Sequence, residues 1–307
     1  DEVLASKPIA SPLKLMDCCP ISDGAMALVI SAEPRNGARI AIAEAARNLA
    51  CAGATPLAVT DNLNFGNPHN PENFWQLVEC VEGLAEGCRA FNTPVTGGNV
   101  SLYNQSPAGA IDPTPTVGMV GLIESDKHIT SSHFKTAGDA IILLGEIGGN
   151  LGASHFVKVV HGRKAGRVPE LDFAKELALQ DAVRALIKSG LVKSAHDCSE
   201  GGLAVAFAES CLSNPAKQLG AKITINAVSA RLDALLFNEA QSRIVISVSG
   251  TNAGAVLALL EWRGVPARRL GTVGGDALEI TAGDTALHWP LSELHDAWSE
   301  SIARAMA

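Results

Sequence analysis

The 307-residue chain has little of what marks a membrane, secreted or nucleic-acid-binding protein. No apolar run approaches the roughly 18 residues that cross a bilayer. Its apolar stretches are short and broken by Gly, Pro or charge, so a soluble protein with no membrane partner is expected. Lys and Arg number 24 against 32 Asp and Glu, a net charge of -8, and the cations are scattered rather than clustered. That removes the footprint needed to hold a phosphate backbone, and no nucleic acid is expected. The seven cysteines (Cys18, Cys19, Cys51, Cys80, Cys88, Cys198 and Cys211) are odd in number and lack CxxC spacing. Reduced thiols in the cytoplasm fit this pattern, most of them packed as small hydrophobes. No basic-then-apolar leader opens the chain, and it begins at Asp1 without Met, which reads as a fragment or a processed product.

What is present is an alternation of helical and extended segments. GARIAIAEAARNLACAG, residues 37–53, places Ile40, Ala43, Ala46 and Ala50 on one side of a helix closed by glycine. PLAVTD reads as a buried strand. PENFWQLVECVEGLAEGCRAF sets Phe74, Leu77, Val78, Val81, Leu84, Ala85, Cys88 and Phe91 at the spacing of an amphipathic helix. TPVTG and TVGMVGLI follow as strands, and ESDKHITSSHFKTAGD is polar and strand-poor. A domain boundary is placed there. Beyond it AIILLGE, RIVISV and RRLGTVGG read as strands, and DFAKELALQDAVRALIKSG, GGLAVAFAESCLS and NAGAVLALLEWRG as helices. The expected fold is α/β (α+β) in two domains, 37–130 and 131–307, after an atypical lead-in over 1–36.

Two polar motifs stand out. In TGGNVSLYN, Gly97 and Gly98 let backbone N–H groups approach an anion, Asn99 offers a hard oxygen suited to Mg²⁺, and Ser101 supplies a hydroxyl. A lone Gly-Gly-Asn equally fits an ordinary turn. TDNLNFGNP follows the preceding strand in the same way. A parallel pair joined by one crossover helix would place Asp61 and Asn99 on one edge, where carboxylate, amide oxygen and glycine N–H groups converge. Asp61 and Asn64 as turn caps are the alternative.

These residues carry a resemblance. GARIAIAEAARNLACAGATPLAVTDNLNFGNP, FWQLVECVEGLAEGCRAFNTPVTGGNVSLYN, PTPTVGMVGLI, SAHDCSEGGLAVAFAE and FNEAQSRIVISV are similar to the C-terminal half of the phosphoribosylformylglycinamidine synthase family. Its members are ATP-dependent amidotransferase ligases within the aminoimidazole ribonucleotide synthetase-like superfamily. The similarity covers about residues 35 to 305. It implies a carbon-nitrogen ligase of purine biosynthesis that turns formylglycinamide ribonucleotide into the amidine with glutamine-derived ammonia. It also implies that Asp61 and Gly98 contact ATP, that Asn99 binds Mg²⁺ and that Ser101 contacts the ribonucleotide. The family's catalytic histidine and the rest of its ATP and metal site sit in a related half not represented here. No catalytic residue is therefore expected in this chain, and its partners would be that N-terminal half and a glutaminase. Family members join their two halves through the first domains, so the isolated chain is expected to form a homodimer.

Other residues are less specific. Residues 1–36 do not match, and PLKLMDCCPISDGAMALVIS resembles a segment of thiolase-like acyltransferases, the alternative being that DGAMALVI imitates the first strand of the family's half. Cys18 and Cys19 are given no catalytic role. Arg47 and Asn48 stand where the family's first half carries a functional Arg-Asp pair, with helix packing as the alternative. Glu239 and Gln241 match a substrate-contacting Glu-x-Gln of that other half, with scaffolding as the alternative here. His196, Asp197 and Glu200 precede a glycine pair that opens a helix, a nucleotide-binding or structural loop. GEIGGNLGASHF fits neither a dinucleotide fingerprint nor a P-loop, since Lys158 arrives too late. A complete small kinase or synthetase of the same superfamily and a non-catalytic nucleotide-binding or assembly module stay open beside the ligase.

Overall fold

The structure is a computed structural model that describes residues 8–10, 13–14, 33–214, 216–226 and 231–306. Cys18, Cys19 and the thiolase-like reading lie outside the described residues. Near the start, β1 (Pro8–Ala10) and β2 (Leu13–Lys14) form a small antiparallel pair.

The first layered unit is built on α1 (Pro34–Ala52), β3 (Thr55–Asn64), α2 (Pro71–Phe91), β4 (Val95–Ser101) and β7 (Thr114–Leu122). Two short strands, β5 (Gln105–Ser106) and β6 (Gly109–Ala110), pair between β4 and β7. The main sheet has the order β4-β3-β7, with β4 parallel and β7 antiparallel to the central strand. As the sequence predicts, α1 stops at Gly53, whose left-handed backbone closes the helix at φ 92°. Asn70 caps α2 by accepting from the Glu72 N–H.

The α2 face matches the periodic stripe only in part: Leu77, Leu84, Cys88 and Phe91 pack in the core as expected. Phe74, Val78 and Val81 are exposed, and the buried face runs through Cys80, Gly83, Leu84, Gly87, Cys88 and Phe91. The reason is the close crossing of α1 and α2. A Cβ on Gly83 would collide with the Arg35 carbonyl, and one on Gly87 would press on the Ile42 side chain at 2.8 Å. Hydrophobicity rewards large residues and so adds Phe74, Val78 and Val81 to the stripe, whereas the helices meet where Gly83 and Gly87 leave the side chains smallest.

The second unit is a seven-stranded sheet in the order β14-β13-β10-β12-β8-β11-β9. Its strands are β8 (Ala140–Leu144), β9 (Val192–Asp197), β10 (Ala221–Ile225), β11 (Ile244–Val248), β12 (Ala267–Val273), β13 (Ala277–Ala282) and β14 (Thr285–Pro290). All pairings are antiparallel except β10 with β13. Interior β8 is buried at every residue. Ile141 and Leu143 face one core with α5 (Gly202–Leu212), α6 (Leu232–Phe237) and α8 (Leu291–Ser299). Ala140, Ile142 and Leu144 face the other with α4 (Phe173–Lys188) and α7 (Ala253–Trp262). The connections include α3 (His155–His161), and α9 (Ser301–Met306) closes the described chain.

Helix α1 belongs to both units. Ala38, Ile42 and Ala45 pack in the core beneath the three-stranded sheet, while Ala50 and Cys51 pack with Leu179, Val183 and Ile246 of the second. A helix sandwiched this way must be apolar around its circumference and thin, which its alanines supply. No helix of the described residues is long and apolar enough to cross a membrane.

Candidate functional site

The motifs TDNLN and GGNVS do not follow their strands but lie within them. β3 runs through Asn64 and β4 through Ser101, and their parallel register sets Asp61 beside Gly98, Asn62 beside Asn99 and Asn64 beside Ser101. Asp61 also faces Val117 of β7. Neighbouring side chains along a strand point to opposite faces. Asp61 therefore shares the helix-side face with buried Val59 and Leu63, whereas Asn62, Asn64, Asn99 and Ser101 line the opposite face. This corrects the expected convergence of Asp61 and Asn99. They are adjacent in register, but they flank the sheet from its two sides.

Asp61 is half-buried, and burial raises its carboxyl pKa. The Cys80 and Cys88 thiols of α2, pushed up first by burial, also feel the Asp61 charge. Gly98 makes the arrangement possible: at φ 152° it brings its Cα against Asp61, and a Cβ there would collide with the Asp61 backbone and carboxylate oxygens. Gly97 has no heavy atom within 4 Å of where a Cβ would stand, so its backbone is open to a ligand. β4 is the sheet's edge strand and is exposed from Val95 to Val100. The site is thus an open polar ledge rather than a closed cleft.

The donors on the face that carries Asn99 are amide and hydroxyl oxygens, hard ligands of the kind Mg²⁺ takes together with water and phosphate, and the Asp61 carboxylate lies on the other face. Among the described residues no group of three or more His, Cys, Asp or Glu could hold a metal. The residues present therefore fit one part of a Mg²⁺ shell, with Asn99 as a donor.

The loop FGNPHN after β3 is held by its own hydrogen bonds. Asn73 Nδ2 donates to the Asn67 carbonyl at 3.1 Å, and the His69 N–H donates to Asn67 Oδ1 at 2.9 Å. Asn64 Nδ2 donates across to the Thr114 carbonyl at 3.2 Å. Capping thus explains Asn67 and Asn70, while the side chains of Asn62 and Asn99 remain exposed.

The second polar centre is the seam between the units. Arg47 of α1 is fully buried and donates through Nε and Nη2 to the two carboxylate oxygens of Glu176 in α4, at 2.7 and 3.0 Å. Nη2 also donates to Gln241 Oε1 at 2.9 Å. Burial pulls the guanidinium pKa down, but Glu176, Asp197 and Glu44 outweigh it and hold Arg47 above its ordinary value. Arg47 therefore takes the packing role, and Gln241 is part of the same scaffold. Glu239 Oε1 accepts from the Gly201 N–H at 2.9 Å and the His155 N–H at 2.8 Å, so it pins the start of α5 to α3.

His196 lies between two carboxylates, with Nε2 3.1 Å from Glu209 Oε2 and Nδ1 3.5 Å from Asp197 Oδ1. Burial opposes its charge, but these partners win and push its pKa up to about 10. At neutral pH it is an imidazolium with no lone pair to accept a proton, so it fills a structural ion-pair role. It borders a cavity of about 280 Å³ with Asn48, Cys51, Thr130 and Asp197.

Glu44 is the seam's titrating group. Burial first, then the charges of Asp197 and Glu200, push its carboxyl up to about 8 from an ordinary 4.5. The folded chain therefore binds a proton that the unfolded chain lacks between these two values. The stability from this group is complete below pH 4.5 and is lost as pH rises through about 8. Thermal melts of Glu44→Gln should exceed the parent by a few degrees at pH 9 and match it at pH 5. A difference between parent and variant that stays constant from pH 5 to pH 9 would instead place a charged Glu44 in the fold.

The two sheets, the shared helix and the glycine-opened ledge define a two-domain α/β synthetase-like protein. The chain belongs to the AIR synthase-related superfamily: residues 19–123 match the AIR synthase related protein N-terminal domain and residues 136–282 the C-terminal domain. The first match begins inside the segment 1–36, so residues 19–36 are read with the family domain. The subunit PurL of phosphoribosylformylglycinamidine synthase from Anaeromyxobacter sp. (strain K) is 49% identical over 276 residues, which are 88% of this chain and 36% of that protein. The chain thus spans a little over a third of the length of such curated relatives. The solved structure of T. maritima PurL complexed with FGAR superposes with a TM-score of 0.71 at 21% identity, covering 90% of this chain and 45% of that one. E. coli HypE, a hydrogenase maturation protein, shares the fold at a TM-score of 0.63 and 21% identity, over 82% of this chain and 78% of its own.

Proposed function

We propose that this chain is the C-terminal part of an ATP-dependent ligase that converts formylglycinamide ribonucleotide to formylglycinamidine ribonucleotide, acting in the cytoplasm. The observation that carries the reading is the register of the two motifs, TDNLN against GGNVS on an open edge strand, in a chain 49% identical to a PurL subunit. In this reading the two domains are 37–130, which the family match extends back to residue 19, and 131–307. Asp61 and Gly98 meet ATP, Asn99 is one ligand of Mg²⁺, and Ser101 meets the ribonucleotide. ATP transfers its γ-phosphoryl group to the glycinamide carbonyl oxygen, leaving the formyl group untouched and releasing ADP. Ammonia from a glutaminase then attacks the imidate carbon, phosphate leaves with the former amide oxygen, and loss of a proton gives the amidine. Bound Mg²⁺ supplies charge neutralisation for the phosphoryl step. This chain's residues hold the reactants on one side, and the histidine that handles protons belongs to the half not represented here. The chain alone is therefore inactive.

The test is a pair of substitutions in a full-length, two-half enzyme. Asn99→Ala should lower kcat/KM for Mg-ATP at least tenfold, about 1.4 kcal/mol. Ser101→Ala should raise KM for the ribonucleotide and leave that for ATP nearly unchanged. Parental kinetics for Asn99→Ala remove it from the site, and equal KM effects on both substrates from Ser101→Ala mean that the ledge is oriented otherwise.

The isolated chain should also be a homodimer. Val120 and Leu122 are exposed on the face of the three-stranded sheet away from the helices, and Val95 and Val100 are exposed on its edge strand. Such a sheet gains by burial against a second copy, most simply around a two-fold axis. Light scattering coupled to size exclusion at micromolar concentration reads the outcome, and a stable monomer of 31.8 kDa rules out the pairing.

A further inference from the structure

We propose that Asn104 is the positioning residue for the Ser101 hydroxyl. It presents that hydroxyl as a hydrogen-bond acceptor, so the ribonucleotide group received there is an N–H or O–H donor and not a phosphate oxygen. The inference rests on the reading that Ser101 meets the ribonucleotide.

The geometry begins with the corner that ends β4. Tyr103 sits in the left-handed region at φ 63°, uncommon for an aromatic residue, and its ring is exposed. The backbone around it is fixed by Asn104 N–H donating to the Phe65 carbonyl at 3.1 Å and Ile111 N–H donating to the Asn104 carbonyl at 3.0 Å. The Tyr103 N–H reaches the Gly66 carbonyl at 3.3 Å. This corner turns the Asn104 side chain back onto Ser101.

The amide then has a single consistent arrangement. Asn104 Nδ2 lies 2.9 Å from the Ser101 carbonyl and 3.1 Å from the Phe65 carbonyl. Carbonyl oxygens only accept, so the NH₂ end must face them, and its two hydrogens are used there. Ser101 Oγ lies 3.1 Å from the same nitrogen and 3.3 Å from Asn104 Oδ1. With both N–H groups aimed at the carbonyls, the Ser101 hydroxyl donates to Oδ1 across 3.3 Å. Its proton is thereby turned inward, and the Oγ lone pairs are left for a ligand on the ledge. A phosphate oxygen would meet lone pair against lone pair, whereas a ribose hydroxyl or an amide N–H completes the hydrogen bond.

Asn104→Ala, Ser101→Ala and the double variant are compared in a full-length, two-half enzyme. Asn104→Ala should raise KM for the ribonucleotide roughly three- to tenfold, the range of a single neutral hydrogen bond, with KM for ATP unchanged. In the double variant it should add nothing to Ser101→Ala, because it acts through that hydroxyl. Additive effects, or an equal rise in KM for ATP, overturn the positioning role and leave Asn104 as loop scaffold. A Ser101→Ala effect with none from Asn104→Ala does the same. Parental ribonucleotide KM in Ser101→Ala instead overturns the assignment of Ser101, and the inference with it.

Substrate analogues give an independent measurement that needs no Asn104 variant. A ribonucleotide lacking one hydroxyl or N–H donor should bind the parent as weakly as the complete substrate binds Ser101→Ala, with no further loss when both changes are combined. If only removal of the phosphate produces that coincidence, the acceptor role is wrong.

Discussion

Arg47→Ala should destabilise the chain by about 3–5 kcal/mol, because it leaves the Glu176 carboxylate buried without its cation. Both side chains have zero exposure, so no water can take over the lost bonds without opening the seam. Gln180 Nε2, at 2.9 Å, and the Ser242 hydroxyl would still donate to Glu176, but neither neutralises it. Glu176→Gln should cost less, because the buried Asp197 carboxylate, 4.0 Å from Arg47 Nη1, still faces the guanidinium. Replacing both by methionine should recover most of the loss, since an apolar pair of similar bulk carries no desolvation penalty. Denaturant unfolding of the four proteins measures each term. A cost below about 1 kcal/mol for either single change would mean that water reaches the pair.

Gly98→Ala should abolish function in a full-length enzyme, lowering kcat/KM at least a hundredfold, or about 2.7 kcal/mol. The added methyl meets the Asp61 backbone and carboxylate oxygens, and the backbone at φ 152° is one that a side chain rarely adopts. Relief requires β4 to move away from β3, which breaks the register that sets Asp61 beside Gly98 and Asn99 beside Asn62. Gly97→Ala is the matched control. Nothing lies within 4 Å of its new methyl, so the fold should tolerate it. Amide exchange along β3 and β4 would separate the two variants: faster exchange only in Gly98→Ala is expected, and unchanged exchange in both would show that the close approach is dispensable.

Much of the framework was readable residue by residue. The alanine-rich periodicity and Gly53 define α1, Asn70 and Pro71 mark the start of α2, and the apolar runs mark strands β3, β7, β8 and β11. These are local matters: a cap, a glycine stop or a repeat of 3.6 is satisfied within a few residues, so the sequence alone carries it. The polar character of TDNLN and GGNVS was equally plain. Even the double duty of α1 has a local trace, since only alanine is small enough to line so much of a helix packed on two sides.

The face that α2 buries was readable only through Leu84, Cys88 and Phe91, because the choice between Phe74, Val78 and Val81 and the smaller Gly83 and Gly87 depends on how near α1 approaches. Nor did spacing along the chain tell that Asp61 and Asn99 would point to opposite faces. A one-residue change in register reverses the side, and register is set by pairing between strands. The partners of the buried charges are further apart still: Arg47 and Glu176 are 129 residues apart, and Glu239 reaches His155 across 84. The sequence by itself determined the longer helices, the most apolar strands, the two-unit α/β organisation and the chemical character of the ledge, but not strands β9, β10, β13 and β14 or helices α6 and α8. Only the tertiary structure decided which charges became scaffold and which stayed open to a ligand, because that division depends on desolvation and neutralisation by residues that the chain brings together only when folded.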